Sequence, residues 1–204
     1  MKLYFAPRTR AVRPRWLLEE LGVPYELVRL DLARQENSTP AYLAVHPLGE
    51  LPALVDGDVT LLESLAICLH LADRFPEKHL APPLGSVERG PYYQWMAFAE
   101  LTLDPAVMAL YRHVQLPEEQ KDSAHSNAEL ARHRARLTPV LDVVRAGLGG
   151  REFLVGQSFT AADVVMASIL HLANTLKLLD GHPQLVEYVR RHTQRPAVRK
   201  AASG

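Results

Sequence analysis

The 204-residue sequence contains one cysteine, Cys68, so an intrachain disulfide framework is excluded. Because a fold without disulfides suits a reducing compartment, we predict a cytoplasmic location. An excess of charge of one sign is also missing, since 23 lysines and arginines balance 23 aspartates and glutamates. Without net charge there is no long-range field to attract a polyanion, and we expect neither nucleic acid nor a membrane surface as a partner.

Long apolar runs and metal-binding motifs are absent as well. The most apolar window, VVMASILHLA at 164–173, is well short of the roughly 20 residues of a membrane-spanning helix. The opening MKLYFAPRTR has too short an apolar run before its arginines to be a signal peptide. The nine histidines form no His-x-His or His-Glu-x-x-His grouping, and we therefore predict no metal.

Periodicity and turn residues predict a β-α-β opening followed by a hairpin and a helix. Residues 2–5, KLYF, form a short strand, and the helix containing WLLEELG ends at Gly22. Residues 25–32, YELVRLDL, alternate as a second strand. The segments PALV and VTLL flank the Asp-Gly-Asp turn at 56–58, which indicates an antiparallel hairpin, and an apolar helix follows at 65–75.

Prolines and glycines then interrupt the pattern, and the rest of the chain is predicted to be helical. The proline-rich stretch predicts an interdomain linker at 76–87. Later helices are expected over 91–113, 121–147, 160–177 and 183–194. The prediction is thus an α/β domain over 1–75 and an all-α helical bundle domain over 88–204, with a substrate cleft between them.

Pro52 stands at the entrance to a strand, where a proline cannot donate to the sheet. A β-α-β-β-β-α order with a proline directly before a strand is the thioredoxin-like topology. In that topology the proline is typically cis, and the residue before it presents its N–H and C=O to a peptide-like ligand.

Three separated motifs support this interpretation: HPLGELPALVDGDVTLLES at 46–64, FTAADVVMASIL at 159–170 and HPQLVEYVRRHTQRPAVRKA at 182–201. In this order they resemble the cytosolic glutathione transferase superfamily over nearly the whole chain. The N-terminal motif is similar to the bacterial Ser/Thr-type enzymes, with some similarity to the nu class. The chain departs from the family pattern at His46, where asparagine is usual.

The resemblance assigns the glutathione-binding residues. It implies that Leu51, before a cis Pro52, offers its main chain to the cysteinyl unit of glutathione, and that Glu63 and Ser64 hold the γ-glutamyl end. Ser64 begins a predicted helix, where a hydroxyl and unpaired N–H groups form an anion site. The alternative interpretation is that Ser64 only caps the helix.

Bound glutathione must ionise to act as a nucleophile, because a free thiol has a pKa near 8.5. Related enzymes use a serine, tyrosine or cysteine just after the first strand, but neither serine nor cysteine follows Pro7 here. Thr9 is our candidate hydrogen-bond donor to the sulfur, and Arg10 is the candidate cation. Tyr4 is the rival donor, although a packed strand residue is the expected role.

Other polar and aromatic residues are assigned to structure or left open. Thr160 and Asp163 form a capping-box pattern, whose loss we expect to cost about 0.5–2 kcal/mol. Cys68 is predicted to be an inert core thiol. Arg8, Arg13 and Arg15 are predicted to lie on a solvated face. Aromatic and apolar residues of the first helix after the linker are left unassigned: Tyr92, Tyr93, Trp95, Met96 and Tyr111.

The resemblance implies a detoxification enzyme, a glutathione S-transferase that joins the glutathione thiolate to electrophilic, largely apolar small molecules. It also implies a homodimer, with glutathione as the co-substrate. Two alternatives stay open: a glutathione-dependent disulfide reductase of the nu type, and a non-catalytic protein of the same fold that binds glutathione or another ligand.

Overall fold

The computed structural model of the protein describes residues 1–121 and 124–202. It contains two compact units, which are described separately. The first comprises residues 1–85 together with the last described residues, 194–202, and the second comprises residues 86–193. The structure therefore differs from the sequence prediction at the C-terminal end, because the final helix belongs to the first unit.

The first unit is a four-stranded sheet with helices. The strands lie in the order β2-β1-β3-β4, with β1 parallel to β2 and antiparallel to β3, and β3 antiparallel to β4. This arrangement confirms the predicted thioredoxin-like fold. Its elements are β1 (Lys2–Phe5), α1 (Val12–Leu21), β2 (Glu26–Arg29), α2 (Pro40–Leu43), β3 (Ala53–Asp56), β4 (Val59–Leu62), α3 (Ser64–Arg74) and α10 (Pro196–Ala202).

The short helix α2 was not predicted, although its start signal is present in the sequence. Thr39 is its N-cap and accepts a hydrogen bond from the Tyr42 N–H, and Pro40 occupies the first turn. With only four residues, α2 is too short to show an apolar periodicity. A second difference is that β2 ends at Arg29, three residues earlier than the alternation suggested.

Apolar side chains and ion pairs with the C-terminal segment hold α1 in the first unit. Leu3 and Phe5 of β1 are 0% and 2% exposed, and α1 packs on both α3 and α10. The Arg195 guanidinium, one residue before α10, binds both carboxylate oxygens of Glu20 at 2.6 and 2.7 Å. This bidentate pair and the packing of α10 on α1 link the C-terminal segment to the first unit.

The second unit is helical, as predicted. Its elements are α4 (Arg89–Phe98), a π-helical segment (Ala99–Leu103), α5 (Asp104–Val114), α6 (Glu118–Lys121), α7 (Ala124–Leu148), α8 (Ala161–Thr175) and α9 (Pro183–Thr193). Helix α8 forms the centre, since it is buried along most of its length and packs on α4, α5 and α9. Within the described residues, no helix is both long and apolar enough for a bilayer crossing.

Candidate functional site

The segment before β3 contains the predicted cis proline. The peptide bond between Leu51 and Pro52 is cis. Among the residues that the structure describes, none forms a hydrogen bond with the main chain of Leu51. Its N–H and C=O are thus able to pair with an extended, peptide-like ligand.

Contacts with the residues around α2 hold this segment in place. The Asn37 side-chain amide donates to the Gly49 carbonyl at 2.8 Å, and the Tyr42 hydroxyl donates to the Glu50 carbonyl. Gly49 has a φ of +64°, and a Cβ at this position would lie 2.7 Å from the Asn37 carbonyl oxygen. A glycine is therefore required here, both for its backbone conformation and for the close approach.

Glu63 and Ser64 lie at the junction of β4 and α3, as predicted. Glu63 is exposed and has a φ of 69°, in a region that non-glycine residues rarely adopt. Ser64 is the first residue of α3 and is 2% exposed. Strained backbone of this kind is concentrated at ligand-binding sites, so the conformation of Glu63 supports a binding role.

Asp56 fixes α3 against the hairpin. Its buried carboxylate contacts the Arg74 guanidinium at 3.0 Å and His70 Nε2 at 2.9 Å. Both partners lie in the second half of α3. The helix is therefore tied to the end of β3, and the position of its first residue, Ser64, follows from the same packing.

Arg13 lies beside Ser64 at the candidate site, a position that the sequence did not predict. It was placed on a solvated face, but it is 5% exposed and its Nη1 lies 3.4 Å from Ser64 Oγ. Arg15 is also buried, with its guanidinium carbon 4.6 Å from the centre of the Phe5 ring. The prediction was wrong for both residues because α1 packs on α3 and α10, so that few of its side chains reach solvent.

Thr9 and Arg10 lie in the loop between β1 and α1. The Thr9 hydroxyl donates to the Ala6 carbonyl at 2.7 Å and accepts from the Ala11 N–H at 3.3 Å. The hydroxyl proton is therefore directed into the loop, and donation to a ligand requires it to leave Ala6. The Arg10 side chain is exposed.

Tyr4 packs beneath α2. Its ring centre lies 5.2 Å from that of Tyr42, with the planes tilted by 49°. Burial, followed by the neighbouring Tyr4, raises the pKa of Tyr42 above its ordinary range. These contacts agree with the expected role of Tyr4 as a packed strand residue.

The capping residue Asp163 lies in a buried network in the second unit. Its carboxylate accepts hydrogen bonds from the Leu154 and Thr160 N–H groups, both at 2.9 Å, and from the Tyr188 hydroxyl at 2.8 Å. Burial raises the pKa of Asp163, and these hydrogen bonds oppose the shift. The His192 ring packs on Tyr188 with centres 4.4 Å apart. The network joins α8 to α9, which supports a folding role for Asp163.

The remaining residues singled out in the sequence are mainly structural. Cys68 is fully buried in α3, and His46 Nδ1 accepts a hydrogen bond from the Leu48 N–H at 3.3 Å. In α4, Tyr92 and Met96 are buried, whereas Tyr93 is 44% exposed. The described part of the chain contains no cluster of three or more histidine, cysteine, aspartate or glutamate side chains suited to a metal ion.

Comparisons with known proteins agree with this architecture. Residues 1–73 match the family model of the glutathione S-transferase N-terminal domain, and residues 127–191 match that of the C-terminal domain. The chain is 33% identical over 207 residues to a glutathione S-transferase of Escherichia coli O157:H7, a match that covers 100% of this chain and 98% of that protein.

Two solved structures are similar over almost the whole chain. A sphingomonad glutathione S-transferase complexed with glutathione has a TM-score of 0.81 and 30% identity, and the match covers 99% of this chain and 97% of the other. A Burkholderia graminis glutathione transferase with two glutathione molecules bound per subunit has a TM-score of 0.87 and 25% identity, with coverage of 100% and 87%.

Proposed function

Because the chain belongs to the glutathione S-transferase family, we propose that it binds glutathione and joins its thiolate to electrophilic, largely apolar small molecules. The observation that carries this proposal is that the main chain of Leu51 has no hydrogen-bond partner among the described residues, together with Ser64 at the start of α3. The first feature suits the peptide backbone of glutathione, and the second suits an anionic end group.

Each part of glutathione has a candidate partner. Leu51 pairs with the cysteinyl main chain, as a strand pairs with a sheet edge. The γ-glutamyl α-carboxylate accepts from the Ser64 hydroxyl and from N–H groups in the first turn of α3, where the helix dipole also favours an anion. Glu63 binds the α-ammonium group, and its exposed carboxylate supports this role.

Activation of the sulfur is assigned to Thr9 and Arg10. A threonine hydroxyl stays protonated at neutral pH, so Thr9 acts as a donor to the thiolate and not as a base. For this purpose its proton turns from the Ala6 carbonyl to the sulfur. Arg10 carries a permanent charge that favours the thiolate over the thiol.

Glutathione-dependent disulfide reduction is the second candidate function. It is favoured by the Burkholderia graminis relative that binds two glutathione molecules per subunit. Such a reaction needs no cysteine from the protein, and Cys68, the only one in the sequence, is fully buried. A glutathione-binding protein without turnover is the remaining alternative.

The identity of the electrophile, homodimer formation and a role in detoxification stay predictions from the family resemblance, and a cytoplasmic location stays a prediction from the single cysteine. Gel filtration with light scattering tests the dimer, and a mass near 22.8 kDa, that of one chain, would contradict it. A screen of electrophiles of graded polarity tests the preference for apolar substrates.

Calorimetry with glutathione tests the proposed site. Ser64→Ala removes a hydrogen bond to a charged group, and we expect binding to weaken by about 1.5–3 kcal/mol. Ser168→Ala in α8 is the matched control, because Ser168 bonds to the Val165 carbonyl at 2.8 Å and is predicted to leave affinity unchanged. Unchanged affinity of a folded Ser64→Ala protein contradicts the site assignment.

Turnover separates the candidate functions. The wild-type protein is expected to consume a model aryl halide in the presence of glutathione. Reduction of a model disulfide by glutathione, without turnover of the aryl halide, favours the reductase. Binding of glutathione without either reaction favours the non-catalytic protein.

A further inference from the structure

A buried positive charge lies beside the predicted anion site. Arg13 of α1 and Ser64 of α3 are 51 residues apart in sequence, and they are 5% and 2% exposed. Arginine is rarely buried to this extent unless it is paired. The Nη1 atom of Arg13 lies 3.4 Å from Ser64 Oγ, so the guanidinium reaches the hydroxyl from the α1 side.

We propose that Arg13 is a positioning residue for glutathione, which acts through Ser64 on the γ-glutamyl α-carboxylate. The inference rests on the proposed function, because it takes Ser64 as the partner of that carboxylate.

The chemistry of the two groups determines the direction of the hydrogen bonds. A guanidinium has only donors, so Ser64 Oγ must accept from Arg13 and cannot donate to it. The hydroxyl proton of Ser64 can therefore be donated only to an acceptor other than Arg13. A ligand carboxylate at the start of α3 is such an acceptor, and the resulting order is Arg13 to Ser64 to carboxylate.

The charge of Arg13 strengthens the same arrangement. A cation behind the hydroxyl polarises its O–H bond and attracts the carboxylate, and burial reduces the screening by water. The effect adds to that of the helix N-terminus, which favours an anion at the same place. Removal of Arg13 therefore weakens the Ser64 interaction although Arg13 need not contact the ligand.

A double-mutant cycle measured by calorimetry with glutathione tests the proposal. We expect Arg13→Met to weaken binding about tenfold, as for loss of a charge-assisted hydrogen bond. Arg13→Lys keeps a donor and a charge and is expected to bind within about threefold of wild type. In the Ser64→Ala background, Arg13→Met is expected to have an effect of less than about twofold, because the residue through which it acts is gone.

A ligand analogue provides a readout that a purely structural role would not change. In 4-aminobutyryl-cysteinyl-glycine the γ-glutamyl α-carboxylate is replaced by hydrogen. We expect this analogue to bind the wild-type and Arg13→Met proteins with affinities within about twofold of each other. Equal weakening of glutathione and the analogue by Arg13→Met overturns the proposal.

Arg15→Met is the matched control. Arg15 lies on the same helix and is 6% exposed, but it packs on Phe5. We expect it to lower stability while glutathione affinity stays within about twofold. If Arg13→Met does not fold, Arg13→Gln replaces it, since the amide keeps polarity without charge. Full affinity in the folded Arg13 variant, or additive effects in the cycle, overturns the inference alone. Failure of wild type to bind glutathione overturns the proposed function and this inference with it.

Discussion

Replacement of Asp163 by alanine is expected to destabilise the protein severely without direct damage to the glutathione site. Asp163 is 0% exposed and is the shared acceptor for groups from three parts of the second unit. Alanine leaves the Leu154 and Thr160 N–H groups and the Tyr188 hydroxyl without this carboxylate. Loss of the helix cap alone would predict a smaller effect.

The buried hydrogen-bond donors determine how much stability the Asp163→Ala protein loses. Loss of an N-cap costs about 0.5–2 kcal/mol. Each buried donor without an acceptor costs about 1–3 kcal/mol, and removal of a buried carboxylate offsets part of the sum. We therefore expect the free energy of unfolding to fall by about 3–5 kcal/mol, a large fraction of the 5–15 kcal/mol that is typical of folded proteins.

Urea unfolding followed by circular dichroism measures this loss, with activity normalised to the folded fraction. The control is Asp142→Ala, because Asp142 forms an exposed ion pair with Arg145 and its loss is expected to cost less than about 1 kcal/mol. Tyr188→Phe should cost about 1–2 kcal/mol alone and less in the Asp163→Ala background, where its acceptor is already gone. A change below about 1 kcal/mol for Asp163→Ala would refute the reasoning. A large loss of turnover at unchanged stability would place Asp163 in the active site.

Three further predictions concern the first unit. Thr9→Ala is expected to raise the thiol pKa of bound glutathione, which is read from thiolate absorbance against pH. Thr9→Ser should preserve this pKa, and Tyr4→Phe should leave it nearly unchanged. If Tyr4→Phe raises the pKa and Thr9→Ala does not, Tyr4 is the activating residue. Glu20→Gln breaks the bidentate pair with Arg195, which is 35% exposed, and is expected to lower the free energy of unfolding by about 1–2 kcal/mol in urea titrations. No change would show that this pair does not stabilise the first unit. Burial and then the Glu19 hydrogen bond raise the pKa of Tyr25 from 10.0 to about 12. Between these two values the folded state holds a proton that the unfolded state has lost. The contribution of Tyr25 to stability is therefore complete below pH 10 and is lost towards pH 12. Tyr25→Phe should remove this pH dependence from a plot of the free energy of unfolding against pH.

The elements that the sequence predicted well are those defined by local rules. Gly22 ends α1 with a φ of 65°, and Gly57 forms the hairpin turn with a φ of 60°. The predicted capping box lies at the start of α8, one residue from the expected boundary. Each of these signals depends on a few adjacent residues, so no knowledge of the tertiary structure was needed.

The sequence predictions that the structure corrects have a common cause, namely contacts between residues far apart in the sequence. Arg13 is buried beside Ser64, and Arg195 next to the C-terminal helix pairs with Glu20 of α1. These pairs are separated by 51 and 175 residues, which no local pattern can reveal. The charge of an arginine-rich stretch predicts exposure to solvent, although partner groups can make the burial of an arginine favourable.

The candidate glutathione residues come from three separate backbone segments, and each segment has its own anchor. Asn37 holds the segment before Pro52 through Gly49, and Asp56 holds α3 through Arg74. The ion pair of Arg195 holds α1, the helix that follows the loop with Thr9. Such anchors order the site during folding, so binding does not have to supply that entropy. The strained φ of Glu63 fits the same principle, because only a well-supported backbone maintains such a conformation.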